Sequence, residues 1–410
     1  MAVMNAAVDV VVAGGGPAGC ATALACARHG LEVLLVDRAR FPRDKACGEG
    51  LLPSGVAALA QLGLLAEVRR DAQRIEGLGF AIDADGGPAA FARFPDGGDE
   101  PAYGLGVRRL RFDAQLVAAV RAQPTATVLE GVDATALLRD ASGAVDGLVT
   151  DVGPIRARAV VAADGLRSRL RELLGLQRPT ARGGHDRVGL RGHLRVAALP
   201  FGASVRVLVG RDLEYYLTPV ATDEVQLAIL GTRRAFFRAA LSAVSFAEHL
   251  REHPRLGPLL AGATAIDRPL GAGPFRQRVA RVFTDGALLV GDAAGYVDAI
   301  TGEGIGAALR QGLAAGEVLA TAVATAGRSS RAPLQAAALA PYAQAHAAIT
   351  RDGDRLTELV LWLARHPRLA RRAIASLSHR PQVMQRLLRV QAGAPLSSVP
   401  LLDWARLVIP

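Results

Sequence analysis

Three glycines near the N-terminus have the spacing of a turn that can bind a diphosphate. Gly14, Gly16 and Gly19 stand in GxGxxG spacing, with Pro17 and Ala18 inside the motif. The first glycine permits a tight turn, the second lets the backbone approach a pyrophosphate, and the third lets a helix pack closely on a strand. The unpaired N–H groups and the positive dipole end of that helix would face the phosphates, which indicates a dinucleotide site.

The segments around these glycines have the pattern of a strand, a helix and a second strand. Residues 8–13 are apolar and β-branched, as in a buried parallel strand, and an Ala-rich helical pattern extends to His29. A second apolar stretch, residues 32–36, ends in Asp37, which is placed to accept hydrogen bonds from an adenosine ribose, and Arg38 follows it. The alternative is a Gly-rich turn that binds nothing, because a chain with 45 glycines can contain this spacing by chance. The order of strand, helix, strand and terminal acid favours a dinucleotide site.

Further along the chain, two strand ends and one helix start carry similar motifs. An apolar strand at residues 159–163 ends in an Asp-Gly pair, and another at 287–290 leads into a Gly-Asp pair. A glycine-rich segment then opens a long helix, whose first N–H groups have no partner within the helix. The residues concerned are Asp164, Gly291, Asp292, Gly302, Gly304 and Ile305.

Taken in order, these motifs resemble those of the flavin-dependent hydroxylase superfamily, the group that contains p-hydroxybenzoate hydroxylase and the geranylgeranyl reductases. The resemblance spans most of residues 8–325 and implies FAD as the cofactor. The residues that it implies as cofactor-binding are Gly14, Gly16, Pro17, Ala18, Gly19, Asp37, Arg38, Asp164, Gly291, Asp292, Gly302, Gly304 and Ile305. It implies that Asp292 bonds the ribityl chain, that Arg109 reaches the cofactor, and that residues 302–305 approach the pyrimidine edge of the flavin. Asp164 would belong to the same site or form an ordinary Asp-Gly turn.

Residues 45–50, KACGEG, are similar to a loop that lies along the flavin face in the geranylgeranyl-reductase branch. In that position Cys47 would donate a proton or pack against the flavin ring. Lys45 would contact a phosphate or remain a solvated loop cation. With Gly48, both are assigned to the cofactor-binding residues on this resemblance.

Two departures from the pattern of that branch concern the substrate. Glu214, Tyr216 and Thr218 stand where the branch carries an aromatic anchor, and Ala299 replaces a proline ahead of Gly302. Both changes argue against geranylgeranyl as the substrate, and they leave the residues of the FAD site intact.

The expected fold class is α/β, with a Rossmann-like FAD-binding lobe on a parallel sheet, an interleaved antiparallel substrate sheet and a C-terminal helical segment. Alternating polar and apolar residues over 187–231 predict about four antiparallel strands, and residues 51–70 and 235–260 read as helical. The assigned divisions are 1–76, 105–182 and 268–340 for the FAD-binding lobe, 77–104 and 183–267 for the substrate domain, and 341–410 for the C-terminal helical region.

The flavin would carry the difficult chemistry, while the protein orients the substrate and excludes water. We favour a monooxygenase, in which NAD(P)H reduces FAD and oxygen enters a bulky, mostly apolar metabolite. His193 and Tyr216 join Cys47 as candidate catalytic residues, or are ordinary core side chains. One alternative is a reductase that saturates C=C bonds of a lipophilic substrate, with Cys47 as the acid.

A second alternative is a non-catalytic flavin-binding protein at a membrane surface. Because a second GxGxxG is lacking, the nicotinamide would bind transiently.

Composition and charge limit the classes of binding partner that we expect. The formal net charge is +10, but Lys45 is the only lysine, the arginines are scattered and aromatic residues make up 4%, so we expect no nucleic-acid partner. No Cys/His cluster indicates a metal. The N-terminal MAVMNAAVDV lacks a basic segment and no apolar run is long enough for a membrane span, so we expect a cytoplasmic protein. The segment LTELVLWLARHPRLARRAIASLSHRP suits an interfacial helix or the wall of an apolar pocket, so peripheral membrane contact stays open. The sequence does not set the oligomeric state.

Overall fold

The structure, a computed structural model, describes residues 7–84, 87–95, 103–179, 186–391 and 393–408. The strands are β1 Val8–Ala13, β2 Val33–Asp37, β3 Gly50–Leu51, β4 Gln73–Ile75, β5 Gly77–Ile82, β6 Ala89–Arg93, β7 Gly104–Gly106, β8 Ala126–Glu130, β9 Ala134–Arg139, β10 Val145–Thr150, β11 Gly153–Ala162, β12 Gln177–Arg178, β13 Arg187–Arg195, β14 Ser204–Val209, β15 Leu213–Ala221, β16 Glu224–Thr232, β17 Thr264–Ala265, β18 Leu270–Ala272, β19 Arg278–Val279, β20 Phe283–Thr284 and β21 Ala287–Leu289. The helices are α1 Pro17–Arg28, α2 Pro53–Gln61, α3 Leu65–Asp71, α4 Arg109–Arg121, α5 Arg169–Leu173, α6 Arg233–Arg238, α7 Phe246–Glu252, α8 Leu256–Leu259, α9 Gly304–Thr325, α10 Ala336–Leu339, α11 Pro341–Ala364, α12 Pro367–His379, α13 Pro381–Gln391 and α14 Leu401–Val408. Residues 1–6, which bear on the expected lack of a signal peptide, lie outside the described residues, as do short parts of the three assigned divisions.

A parallel sheet forms the centre of the first lobe, in the order β21-β11-β1-β2-β8. Val10, Val11 and Val12 of β1 have no exposed surface, because side chains on both faces of this strand are covered. Residues apolar on both faces are what a central parallel strand needs, so the continuous apolar run predicts this position correctly. The carboxyl ends of β1 and β21 lead into α1 and into the short 3-10 turn Gly291–Ala294.

The second sheet has the order β17-β13-β16-β15-β14-β5-β6. The four strands β13 to β16 pair antiparallel, as the alternating pattern predicts. β14 and β5 pair in parallel, so the sheet is mixed rather than purely antiparallel. β5 comes from an earlier excursion of the chain, and two strands that no hairpin joins are free to pair in either direction.

The C-terminal helices cover part of this second sheet. Buried side chains of α12 and α13 pack with those of β5, β6 and β14 in one cluster. Its members include Leu78, Ala90, Val205, Val207, Ala373, Ile374, Leu377, Val383 and Met384. The apolar faces of these helices therefore lie against the protein. Among the described residues, no helix is both long enough and apolar enough to cross a bilayer.

The mixed α/β fold class is confirmed, whereas one helical expectation needs correction. The predicted helix over 51–70 is β3 followed by α2 and α3, which are separated at Gly63 in the left-handed region with φ +66°. The helical segments expected over 235–260 are the three short helices α6, α7 and α8. Apolar spacing alone does not show such breaks, since the turns between the pieces keep their apolar residues buried. The assigned divisions of the chain stay predictions.

Candidate active site

One cavity of about 220 Å³ brings together the starts of two helices that are far apart in the sequence. Gly16, Pro17 and Ala18 at the start of α1 line it, as do Gly302, Gly304 and Ile305 at the start of α9. The loop 45–50 forms a further part of its wall. Its apolar wall comes from Leu52, Leu78, Phe80, Leu190, Val205, Val207, Leu230, Leu270 and Phe275. Two sets of unpaired N–H groups thus share one largely apolar chamber.

The three glycines of the N-terminal motif differ in what their missing side chains make possible. Gly14 has φ +117°, and a Cβ atom there would collide with the carbonyl of Ala163. A Cβ atom on Gly19 would collide with the carbonyl of Gly14, so this position needs glycine for close packing. At Gly16 the space is open, and the nearest atoms to a Cβ would be the guanidinium nitrogens of Arg43 and Arg109, at 3.9 and 4.0 Å. The second glycine therefore faces two cations.

Those two arginines share one buried carboxylate. Nε and Nη2 of Arg109 each donate to Asp113 at 2.6 Å, and Nη1 of Arg43 donates to the same carboxylate at 2.6 Å. Burial opposes the charge of Arg109, but the adjacent Asp113 outweighs it and raises the pKa of Arg109 above its ordinary value. Two positive charges against one negative charge leave an excess positive charge beside the start of α1, which suits a diphosphate.

Lys45 adds a third cation to this place. It lines the cavity, and its Nζ would lie 3.0 Å from a Cβ atom on Gly165. Burial first, and then repulsion by Arg109, lower the pKa of Lys45, while Asp292 acts in the opposite direction. Such an environment is unlike that of a solvated loop cation, so the structure favours the alternative in which Lys45 faces an anion.

The acids that follow the strands have different partners. Asp37 accepts hydrogen bonds from the backbone N–H groups of Gly15 and Ala39, both at 2.7 Å, so its carboxylate closes the glycine turn. Arg38 beside it is exposed. Asp164 accepts from the hydroxyl of Ser168 and from the backbone of Leu170, a capping arrangement at α5 that fits the turn alternative.

Asp292 lies in the cavity wall, just after β21. Among the described residues none donates a hydrogen bond to its carboxylate, so the carboxylate is available to a ligand hydroxyl. The preceding residue, Gly291, has φ +61° and donates its N–H to Oε1 of Gln311 at 2.8 Å. Gly302, two residues before α9, also adopts a left-handed conformation, with φ +72°.

The three candidate catalytic residues occupy different places. Cys47 is half-buried in the cavity wall, and its sulfur accepts the N–H of Glu49 at 3.4 Å. Tyr216 also lines the cavity, but its hydroxyl donates to the carbonyl of Ile300 at 2.9 Å. Burial, and then Glu214, raise the pKa of Tyr216 well above its ordinary value.

His193 lies behind the wall rather than in it. It has no exposed surface, and its two ring nitrogens lie 2.6 Å from carboxylate oxygens of Glu49 and Asp267. Direct contact with a substrate, as the sequence suggested, is not available to it in this arrangement. Asp44, His193 and Asp267 could offer metal ligands within 4.8 Å of one another, but the guanidinium of Arg191 binds both carboxylates.

Residues 7–340 match a family described as FAD binding domain, well over half of the chain. The chain belongs to this FAD-binding domain family. The menaquinone reductase of Mycolicibacterium smegmatis is 34% identical over 335 residues, 77% of this chain and 77% of that one. The menaquinone reductase of Mycobacterium tuberculosis is 35% identical over 330 residues, 76% of each chain. Digeranylgeranylglycerophospholipid reductase 2 of Methanosphaera stadtmanae is 29% identical over 332 residues, 77% of this chain and 78% of that one.

Solved structures of flavin-dependent enzymes share the fold. The flavin-dependent brominase Bmp2 matches with a TM-score of 0.81 at 18% identity, covering 98% of this chain and 97% of that one. PqsL, a probable FAD-dependent monooxygenase from Pseudomonas aeruginosa, matches with a TM-score of 0.70 at 21% identity, covering 94% and 100%. The resemblance seen in the motifs is thereby confirmed, and the chain is a FAD-dependent enzyme.

The residues present fit the cofactor of the FAD-binding domain family. The open side of Gly16 faces two guanidinium groups, which suits the pyrophosphate, and the carboxylate of Asp292 is available for a ribityl hydroxyl. The start of α9 offers backbone N–H groups and a positive dipole end to the pyrimidine edge of a flavin. Bound there, FAD supplies the redox chemistry, and the individual contacts stay predictions.

Several residues of this site were not among those predicted from the sequence. Arg43 lies in the loop before Lys45 and had a usable signal, since it is one of several cations next to a glycine-rich turn. The bond between Arg109 and Asp113 also had one, because residues four apart on a helix are neighbours. Glu49 had none, since its partner His193 is distant in the sequence and the two meet only through tertiary packing.

Proposed function

We propose that this enzyme is a FAD-dependent reductase that saturates a carbon–carbon double bond in the prenyl chain of a lipid quinone. The observation that carries the proposal is the position of Cys47. Its thiol, which can donate a proton, lies in the wall of the apolar cavity that the starts of α1 and α9 also line. NAD(P)H is proposed as the electron donor, binding transiently. The sequence alone favoured oxygen insertion, and the assay described below distinguishes that reaction from reduction.

The names of the relatives support reduction over oxygen insertion. The relatives at 34% and 35% identity are named menaquinone reductases, and relatives at 29% to 32% identity are named digeranylgeranylglycerophospholipid reductases. The similar brominase and monooxygenase structures are below 25% identical and therefore speak for the fold alone. Since the chain belongs to a family of FAD-dependent enzymes, we set aside the non-catalytic alternative.

The sulfur of Cys47 lies beside a backbone N–H group and a guanidinium group. Saturating a double bond adds a hydride to one carbon, which reduced FAD supplies when bound, and a proton to the other. After proton transfer, the thiolate of Cys47 would be stabilised by the guanidinium of Arg109, with which it interacts, and by the N–H of Glu49. The Cys47 thiol would regain its proton from solvent before the next turnover.

An assay of turnover with and without oxygen separates the two reactions. FAD-loaded enzyme is given NADPH or NADH and a menaquinone with an unsaturated side chain, and the product is weighed by mass spectrometry. We expect anaerobic turnover and a product heavier by two hydrogen atoms. Turnover that requires oxygen and gives a product heavier by one oxygen atom would contradict the proposal.

The role of Cys47 is tested with two variants. Cys47→Ser keeps the shape of the side chain but is a far weaker acid, and Cys47→Ala removes the proton altogether. We expect both to retain flavin reduction by the nicotinamide and to lose most of the substrate-dependent reoxidation, by roughly the hundredfold or more that a positioned proton donor contributes. Equal reoxidation rates in all three proteins would rule out Cys47 as the acid.

A further inference from the structure

The loop that carries Cys47 is bonded to the second sheet from behind the cavity. Arg191 donates to the carbonyl of Lys45 at 3.2 Å, and Gln226 donates to the carbonyl of Cys47 at 3.2 Å. His193 on the same strand as Arg191 reaches Glu49, with 2.6 Å between Nε2 and Oε2. All three partners project from β13 or β16, so this sheet fixes the loop along its length.

Glu49 is the link between these bonds and the cavity. It has no exposed surface, and its φ of +58° lies in the left-handed region that a residue with a side chain rarely adopts. Its Oε1 accepts the N–H of Arg109 at 2.8 Å, and its own N–H bonds the sulfur of Cys47 at 3.4 Å. Such a conformation persists only where the surroundings hold it. Here His193 and Arg109 hold the side chain, and the N–H of Val107 donates to the Glu49 carbonyl at 2.8 Å.

The charges around His193 favour its protonated form. Burial opposes the charge, but hydrogen bonding and attraction to Glu49 outweigh burial and raise the pKa of His193 above its ordinary value. An imidazolium can donate to Glu49 through Nε2 and to Asp267 through Nδ1 at the same time, which a neutral ring cannot. The charged groups that face it are Glu49, Asp44, Asp267, Arg191 and Arg108.

We propose that His193 is a positioning residue, which holds Glu49 in its left-handed conformation and thereby aims the thiol of Cys47 into the cavity. The imidazolium links Glu49, through Oε2, to the sheet and to Asp267. This inference rests on the proposed function in one respect, namely that the thiol of Cys47 serves as the proton donor. The position of the loop itself can be measured without turnover.

Alkylation of Cys47 reports on the loop directly. The other two cysteines, Cys20 and Cys26, are completely buried, and Cys47 is half-buried. The FAD-loaded protein is treated with iodoacetamide, and modification of Cys47 is followed by peptide mass spectrometry. For His193→Gln we expect alkylation about tenfold faster than in the wild type, because the loop opens more often.

A matched control and a second variant keep the result interpretable. His253 is also a buried histidine bound to a carboxylate, 3.0 Å from Asp83, but lies away from the loop, so His253→Gln should alkylate like the wild type. Glu49→Gln keeps the shape of the side chain and removes its charge, and we expect it to act like His193→Gln. Wild-type alkylation rates in both loop variants, with native circular dichroism, would overturn the proposal.

The pH dependence of the alkylation rate distinguishes a link through the imidazolium from a merely structural role of His193, which would give no such dependence. Because the pKa of His193 is raised in the folded protein, the link is complete below the ordinary pKa of histidine and is lost as pH rises through the raised value. The ratio of the alkylation rates of His193→Gln and the wild type should therefore fall toward one as pH increases. A ratio that does not change with pH would contradict an imidazolium link. A protein without reductase activity that still shows this ratio would contradict only the proposed function.

Discussion

Asp113 decides how much positive charge faces the start of α1. Its single carboxylate binds both Arg43 and Arg109 and has no exposed surface, so it can balance only one of the two positive charges. Lys45 contributes further positive charge, although burial and repulsion by Arg109 lower its pKa. An anion placed among the three cations would relieve this repulsion. The residues thus favour a diphosphate for reasons of charge as well as of shape.

A first prediction concerns Lys45. Lys45→Met keeps most of the length of the side chain and removes the charge, and we expect the dissociation constant of FAD to rise by about tenfold to a hundredfold, since a charge-assisted hydrogen bond contributes about 1.5–3 kcal/mol. Titration of the apoprotein with FAD, followed by flavin fluorescence, measures this. Arg111→Met removes a charge from an exposed position of α4 and should change the constant little. Unchanged affinity in Lys45→Met would mean that its charge does not face the cofactor.

Glu303 directly precedes α9 and points away from the flavin cavity. It lines a second cavity, of about 490 Å³, and its carboxylate fits against α11 where Gly353 has no side chain. Burial raises the pKa of Glu303 to about 8, with Arg310 opposing the shift and Asp354 adding to it. The carboxyl group is therefore mainly protonated at neutral pH.

A second prediction follows from this protonation. The folded protein holds the proton of Glu303 up to a pH of about 8, whereas the unfolded chain releases it near the ordinary glutamate pKa of 4.5, so wild-type stability falls as pH rises between these values. Glu303→Gln cannot ionise, so its stability relative to the wild type should increase by on the order of 1–3 kcal/mol between about pH 5 and pH 8. Melting temperatures at both pH values measure this, with Glu248→Gln as the exposed control. A constant difference between the two proteins would show that Glu303 titrates normally.

At the scale of elements, the site depends on how closely α1 and α9 pack. A Cβ atom on Gly312 would lie 2.5 Å from the carbonyl oxygen of Ala18 and 2.6 Å from the Cβ atom of Ala21. Gly316, one turn further along α9, meets Ala25 in the same way. Because the two helices are in contact along these small residues, their N-termini lie at the same cavity.

A third prediction tests this packing. Ala is a better helix former than Gly by about 1 kcal/mol, so Gly312→Ala would stabilise an isolated helix. In this protein the added methyl group meets backbone atoms that cannot move aside, so we expect a lower melting temperature and weaker FAD binding. Thr321→Ala, on the exposed side of the same helix, should leave both unchanged or raise the melting temperature slightly. A more stable Gly312→Ala protein with normal FAD affinity would refute the argument.

The sequence predicts the parts of the site that depend on local spacing. The glycine turn, the strands around it and the neighbourhood of Arg109 and Asp113 all follow from short-range patterns. The bond between His193 and Glu49 and the parallel pairing of β14 with β5 do not, because each joins segments that are distant in the sequence. Spacing carries no information on such pairs. The sequence therefore indicated more of the residues that line the cavity than of the residues that hold the loop 45–50 from behind.

At the scale of the whole molecule, the C-terminal helices have two different faces. Their apolar face packs on the second sheet, so a truncation in this region would expose the core. On the outside, Arg368, Arg371 and Arg372 of α12 are exposed, and so are Leu401 and Leu402 at the start of α14, by 87% and 59%. Exposed leucines and arginines on two helices that pack together are typical of a surface that meets anionic lipid.

We therefore expect peripheral binding to a membrane that would contain the proposed lipid substrate. In a flotation assay the protein should bind vesicles with anionic lipids, bind less at high salt because the arginines are screened, and bind little to neutral vesicles. The double substitution Leu401→Asp and Leu402→Asp should abolish most of the binding, because it places carboxylates at the lipid surface and leaves the buried face intact. Phe237→Asp changes an equally exposed apolar side chain, 87%, on α6 and should have no effect. Loss of binding in Phe237→Asp but not in the double variant would place the lipid contact on the second sheet's domain instead of the C-terminal helices.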